Sequence, residues 1–275
     1  MTEISPSVAQ IWRYPVKSFQ GEALDQVEVT SSGFFGDRGF GLRSVTTGKI
    51  LSAKRWGKLL EAKSALKGDR LEILIPTGDT DYRGDVIEIG RGSDPAIDSK
   101  LSEWFGEPVE LVTATNGEGA SYETDVDPLD LNSGTMDFPC PPGTFLDAAA
   151  VHILATTSLA DAAQLSPDLS WDVRRFRPSL VIDTSGTDLD FVDETWIGRE
   201  LSIGTCGLVV FAPTVRCAMP TRAQPRHLEH EPLGVEKAVL RTLAESHHTC
   251  LGVYAAVARP GEIHLGDRVW VGEPN

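Results

Sequence analysis

Cys217 ends the segment Pro213-Thr214-Val215-Arg216-Cys217, and a cation beside a thiol favours the thiolate, the form that attacks electrophiles or ligates soft metals. A buried structural cysteine with a surface arginine as neighbour fits the same residues. Other segments carry groups suited to anions. In Tyr14-Pro15-Val16-Lys17-Ser18 an ammonium, a hydroxyl and free backbone N–H groups meet where a strand ends, although a solvated lysine in a turn is the alternative. Gly36-Asp37-Arg38-Gly39 puts a guanidinium at a turn, able to grip a phosphate with two hydrogen bonds or to pair with surface carboxylates. Arg174-Arg175-Phe176-Arg177 places three arginines within four positions ahead of an apolar strand. That run is either a patch for a polyanion or an edge salt-bridged to acidic neighbours.

The whole-chain charge gives these clusters weight. Among 275 residues, 25 are basic and 40 acidic, for a net charge of −15. Such a surface repels phosphate backbones and anionic lipid, so neither nucleic acid nor a membrane surface is an expected partner. Basic groups gathered against that field need a local reason. His227-Leu228-Glu229-His230 and His247-His248-Thr249-Cys250 contain zinc-ligand types, but neither brings a second ligand pair at zinc-finger spacing. The second closes a helix, where histidine suits the negative end of the dipole. The four cysteines (Cys140, Cys206, Cys217, Cys250) are widely spaced, with no CxxC, and predict thiols. The first residues hold neither a basic region nor an apolar run, and no segment has the apolar length to span a bilayer. A soluble, cytoplasmic protein is expected.

The elements that must position these residues are mostly strands. Alternation and turn residues predict strands over 8–14, 23–30, 39–45, 71–75 and 85–89, with a short helix over 99–105. Short strands broken this way suggest a small barrel or curled sheet. Residues 113–142 read as an irregular connection holding a domain boundary. Beyond it, strands are predicted at 151–155, 179–182, 200–203, 208–212, 253–258 and 268–271. Helices are expected at 157–164, capped by Thr157 or Ser158, and at 235–245. The strand at 208–212 should stop at Pro213.

In this order and spacing the segments resemble the MOSC family (the molybdenum cofactor sulfurase C-terminal domain) preceded by its N-terminal β-barrel domain. The first part of the resemblance runs from Ile11-Trp-Arg-Tyr-Pro-Val-Lys-Ser18 through Gly36-Asp-Arg38 to Leu51-Ser-Ala-Lys54. The second includes Arg175-Phe-Arg-Pro178, the Trp196-Ile-Gly198 turn, Arg216-Cys217, Leu251-Gly-Val-Tyr254 and Pro260 to Asp267. It implies a β-rich α+β fold: a small N-terminal β-barrel domain over 5–120, then a β-barrel MOSC domain with flanking helices over 121–275. It also implies a molybdenum cofactor, Mo-molybdopterin, ligated by Cys217, which would be both metal ligand and catalytic residue. Lys17, Ser18, Arg38, Arg175, Arg177, Ser179 and Arg216 would hold the cofactor. The implied activity is reduction of N-hydroxylated or related N-oxygenated small molecules. Scattered cysteines supply no iron–sulfur spacing and there is no flavin motif, so electrons would come from a separate donor protein of reductase or ferredoxin type. The alternative is sulfur carriage or cofactor handling through a Cys217 persulfide. Several positions depart from the family pattern: Ser179 replaces an asparagine, Ala148-Ala149 replace a threonine-serine pair, Val215 replaces a hydroxyl residue, and Met219-Pro-Thr-Arg follows the cysteine region.

Overall fold

A computed structural model describes residues 5–77, 82–88, 94–114, 119–225 and 231–274. His227 and His230 lie outside the described residues. Among the described residues the fold is strand-rich with three α-helices, as the sequence predicts. Strands β1 (Ser7–Arg13), β2 (Glu22–Leu24), β3 (Gln26–Thr30), β4 (Gly33–Phe34) and β5 (Phe40–Ser44) come first. Next are β6 (Lys63–Lys67), β7 (Arg70–Pro76), β8 (Tyr82–Glu88), helix α1 (Pro95–Phe105) and β9 (Val109–Thr113). A hairpin of β10 (Ser121–Asp127) and β11 (Asp130–Pro139) leads to β12 (Val151–Ala155), α2 (Thr156–Leu165), β13 (Leu180–Asp183) and β14 (Arg199–Ile203). The chain finishes with β15 (Cys206–Val215), α3 (Lys237–Ser246), β16 (Cys250–Arg259), β17 (Gly261–His264) and β18 (Val269–Pro274).

The largest sheet runs β18-β14-β15-β16-β12-β13-β1-β2. Strand β1 therefore leaves the first half of the chain and pairs antiparallel with β13, Ile11 opposite Leu180. The start of β1 also reaches the residues before β18: Ser7 bridges Arg268, and the Val8 N–H donates to Asp267 O at 2.9 Å. Apolar side chains of β1, β12, β13, β14, β15 and β16 fill one core, while the first-half strands and α1 enclose another around Phe19, Leu59, Leu60 and Leu71. Cys217 packs against this second core although its strand belongs to the large sheet. It thus sits at the seam between the two.

Four local features differ from the sequence reading. The strand expected over 23–30 breaks at Asp25 into β2, which pairs with β1, and β3, which pairs with β17. Helix α1 starts earlier, because the Asp94 carboxylate accepts the Ala96 N–H at 2.9 Å and Pro95 fits the first turn, where its missing N–H costs nothing. Neither Thr157 nor Ser158 caps α2; Ser158 is buried and donates instead to Asp193 Oδ1 at 2.8 Å. Much of the supposed irregular connection is the β10–β11 hairpin, whose acidic residues are tied to upstream bases: Lys49 pairs with Glu123 and Asp137, and Arg55 with the buried Asp125.

One difference bears directly on Cys217. Strand β15 continues through Pro213 to Val215 because the register against β16 shifts between Pro213 and Val215. Such an irregularity lets proline stay in a strand without a ladder N–H. The Arg216 N–H then donates to Thr249 O at 2.8 Å, so the cysteine follows directly on a fixed backbone. No helix among the described residues is long and apolar enough to cross a membrane.

Candidate functional site

Turns at the ends of paired strands meet in one open cleft. Lys17 and Ser18 come from the exit of β1, Arg38 from the turn before β5, Arg177 and Ser179 from the approach to β13, and Arg216 and Cys217 from the exit of β15. Asp147, Ala148 and Ala149 enter from the loop before β12. Three of these, Ser18 (φ 69°), Arg38 (φ 48°) and Arg177 (φ 53°), are non-glycine residues in the left-handed region. Each such residue costs on the order of 1–3 kcal/mol and persists only where its surroundings hold it. Here they do: Arg38 N–H donates to Tyr14 O at 2.8 Å, and Arg38 O accepts from Phe145 N–H at 2.9 Å.

The charges form two groups. Lys17 Nζ donates to Phe145 O at 2.8 Å and pairs with Asp147, while Lys54 Nζ lies 3.1 Å from the other oxygen of Asp147. Burial pushes the Lys17 ammonium down against the pull of Asp147. Lys54 is buried as well, but Asp147, Cys217 and Tyr122 outweigh that and hold it above its ordinary value. Burial opposes the charge on Asp147 too, yet its two lysines hold the carboxyl far below the usual range. The second group is Arg38 and Arg177. Arg38 pairs with Asp37, and Arg177 Nη1 donates to Phe19 O at 2.8 Å. Burial lowers Arg177 to about 10, which still leaves it cationic at neutral pH.

His152 and Arg216 lie beneath Cys217. Arg216 Nη2 donates to Phe176 O at 2.7 Å and Nη1 faces His152 Nε2 at 3.3 Å. Since a guanidinium cannot accept, Nε2 is the acceptor and the ring proton sits on Nδ1, aimed at Arg177 O 3.5 Å away. Burial and the adjacent Arg216 push the imidazole well below 6.5, so it is neutral. Arg216 Nε is buried without a hydrogen-bond partner. The lining of the cleft also includes Leu146, Val215, Met219 and Tyr254.

Lys17, Ser18, Arg38, Arg177, Ser179, Arg216 and Cys217 thus come together, and Arg175 does not. Its side chain is only 1% exposed and donates to the carbonyls of Ser170 (2.9 Å), Pro220 (3.1 Å), Arg222 (3.3 Å) and Gly234 (3.1 Å). Arg175 braces the loop after Cys217 from behind. Ser179 Oγ is engaged by the His152 N–H at 3.2 Å. Sequence reading missed Lys54 and His152 as neighbours of the site, and assigned Asp147 no role. Lys54 had a signal, since Leu51-Ser-Ala-Lys54 belongs to the quoted resemblance, whereas His152 is a single polar residue in an apolar strand.

Residues 5–101 match the MOSC N-terminal beta barrel domain, and residues 141–270 match the MOSC domain. The chain belongs to the MOSC family. It is 27% identical over 301 positions to human mitochondrial amidoxime-reducing component 1, the match covering 96% of this chain and 82% of that protein. It is 25% identical over 296 positions to the bovine mitochondrial amidoxime reducing component 2, again covering 96% and 82%. A rice (Oryza sativa subsp. japonica) molybdenum cofactor sulfurase is 24% identical over 236 positions, covering 75% of this chain but only 27% of the rice protein. This MOSC chain therefore spans about a quarter of that relative.

Proposed function

We propose that this MOSC protein holds a molybdenum–pterin cofactor through Cys217 and reduces N-hydroxylated or related N-oxygenated small molecules with electrons from a separate donor protein. One observation carries the reading: a chain of charge −15 gathers Lys17, Arg38, Arg177 and Arg216 in one cleft with a partly exposed thiol. The donor set fits the group. A soft sulfur suits molybdenum, the basic side chains suit a phosphate ester, and the orphaned Arg216 Nε offers a buried donor that a ligand oxygen would satisfy. When bound, the metal supplies two-electron removal of oxygen from a substrate.

The chain's own residues do the rest. Lys17 and Arg38 would hold the phosphate through their side chains. Arg177 and Arg216 would hold the pterin, while neutral His152 fixes the Arg216 guanidinium by accepting from Nη1. Leu146, Met219 and Tyr254 would supply apolar contact for a substrate beside the cofactor.

The test is metal and pterin analysis of protein purified from a cofactor-competent host, beside Cys217→Ala. Molybdenum near one per chain in the native protein, lost in the variant, supports the reading. Native protein without molybdenum, or a variant with undiminished content, sinks it. A stable persulfide on Cys217 with no metal would assign the protein to sulfur handling instead, the reading in line with its match to the rice sulfurase.

A further inference from the structure

The basic groups of the cleft do not stand singly. Arg38 Cζ lies 4.3 Å and Arg177 Cζ 4.1 Å from the centre of the Tyr14 ring. Lys17 Nζ lies 4.2 Å and Lys54 Nζ 4.5 Å from the centre of the Tyr122 ring. The same device occurs twice: two like charges share one buried phenol, which is 4% exposed at Tyr14 and 1% at Tyr122. Like charges this close repel each other, and each pair has one carboxylate against it, Asp37 or Asp147. An aromatic face carries negative quadrupole density and attracts a cation without neutralising it. A carboxylate in the same place would cancel the charge that an anionic ligand needs.

Both rings are also pinned. The Tyr14 hydroxyl donates to Pro178 O at 3.2 Å, and the Tyr14 N–H is held by Asp37 Oδ1 at 2.7 Å. The Tyr122 hydroxyl accepts from Lys54 Nζ at 3.1 Å, and its ring packs on Phe138 with centroids 5.6 Å apart. Burial pushes both phenols up, Tyr14 to about 12, so neither ring ionises near neutral pH. The two tyrosines come from opposite ends of the first half of the chain, Tyr14 after β1 and Tyr122 within β10.

We infer that Tyr14 and Tyr122 are positioning residues of this site, each seating a pair of like charges so that four cations are held together at one anion site. Lys54 thereby becomes a member of the basic set. The inference rests on the proposal that the cleft takes a phosphate-bearing cofactor, and it concerns how the protein keeps that charge assembled and available.

The test replaces each tyrosine in the full chain by phenylalanine and by phenylalanines carrying one, two or three ring fluorines. Fluorination drains the ring face of negative density while changing its shape little. Binding of inorganic phosphate to cofactor-free protein is read by isothermal titration calorimetry, with a thermal melt of each variant as the folding check. Plain phenylalanine, which lacks the hydroxyl bonds to Pro178 O or Lys54, is the reference for each series, and the trifluorinated ring should bind phosphate about tenfold more weakly than it, with a graded fall between. A role in packing alone would give a flat series. The same fluorination at Phe105, which packs edge-on to Trp56, should leave phosphate binding unchanged. A flat series at both tyrosines, or native protein that does not bind phosphate, overturns the inference. A flat series in protein that carries molybdenum overturns it alone; a graded series in protein that carries none overturns the cofactor reading alone.

Discussion

Arg175 and Arg177 are two residues apart and do different jobs, and exchanging each for lysine separates them. The Arg175 guanidinium makes hydrogen bonds to four backbone carbonyls at 2.9–3.3 Å and is 1% exposed. A lysine ammonium is a point donor on a longer stem and can reach only one or two of those oxygens. Two or more buried carbonyls then lose their partner, at about 1–3 kcal/mol each, reduced by whatever water and relaxation restore. Arg175→Lys should therefore cost about 3 kcal/mol, a fall of roughly 6–10 °C in melting temperature for a chain of this size. Arg177 donates to one carbonyl, Phe19 O, and otherwise lines the cleft. Arg177→Lys should cost about 1 kcal/mol or less, yet retain much less molybdenum because the planar fork is gone. Urea unfolding and metal analysis of both variants decide the matter. If Arg175→Lys unfolds with native stability but no longer carries the molybdenum expected of the proposed cofactor, the assignment of Arg175 as a brace is wrong.

Other predictions rest on single features. Asp193 is fully buried, and burial raises its pKa to about 6, although it accepts from Ala155 N–H and Ser158 Oγ. A carboxyl raised in the folded state binds its proton more tightly there than when unfolded. Its contribution is full below about pH 3.8 and falls as pH climbs to about 6, by at most about 3 kcal/mol. Asp193→Asn should flatten that part of the stability profile, measured by urea unfolding between pH 4.5 and 7; an unchanged slope would contradict the assignment. Gly252 has φ +82°, and an added Cβ would lie 2.5 Å from His152 Nε2 and 2.7 Å from Ile153 O. Gly252→Ala should cost about 2–3 kcal/mol and disturb the histidine's contact with Arg216, seen as a shifted His152 ring signal in NMR spectra. Asp94→Ala removes the cap of α1 and should cost about 1 kcal/mol, with the loss appearing as earlier amide exchange in that helix.

Local sequence carries features that depend on periodicity or on end chemistry. Strand β1, its exit at Lys17 and Ser18, and helix α3 with Val239, Leu240 and Leu243 turned inward could all be read from residue order. The hairpin β10–β11 could not. Its acidic residues looked like a solvated connection, and the bases that pair with Glu123, Asp125 and Asp137, Lys49 and Arg55, lie 70 or more residues upstream. Proline likewise suggested a stop at Pro213, because the register shift that accommodates it depends on the distant strand β16. At the site the pattern repeats. Arg174, Arg175 and Arg177 formed one cluster in the sequence, and the left-handed backbone at Arg177 lies where the two roles part. His152 meets Arg216 only through the pairing of β12, β16 and β15.

The place of β1 in the large sheet fixes when the cleft can exist. Its neighbours are β2, made moments after it, and β13, made more than 160 residues later. On a ribosome the strand therefore waits with one edge bare while more than half of the chain is synthesised. Lys17 and Ser18 hang from that strand, and Arg177 and Ser179 lead into its late partner. Nothing can dock a ligand between them before the partner arrives. The cleft is thus complete only late in synthesis, and the waiting strand is an edge at which a stray second chain would compete.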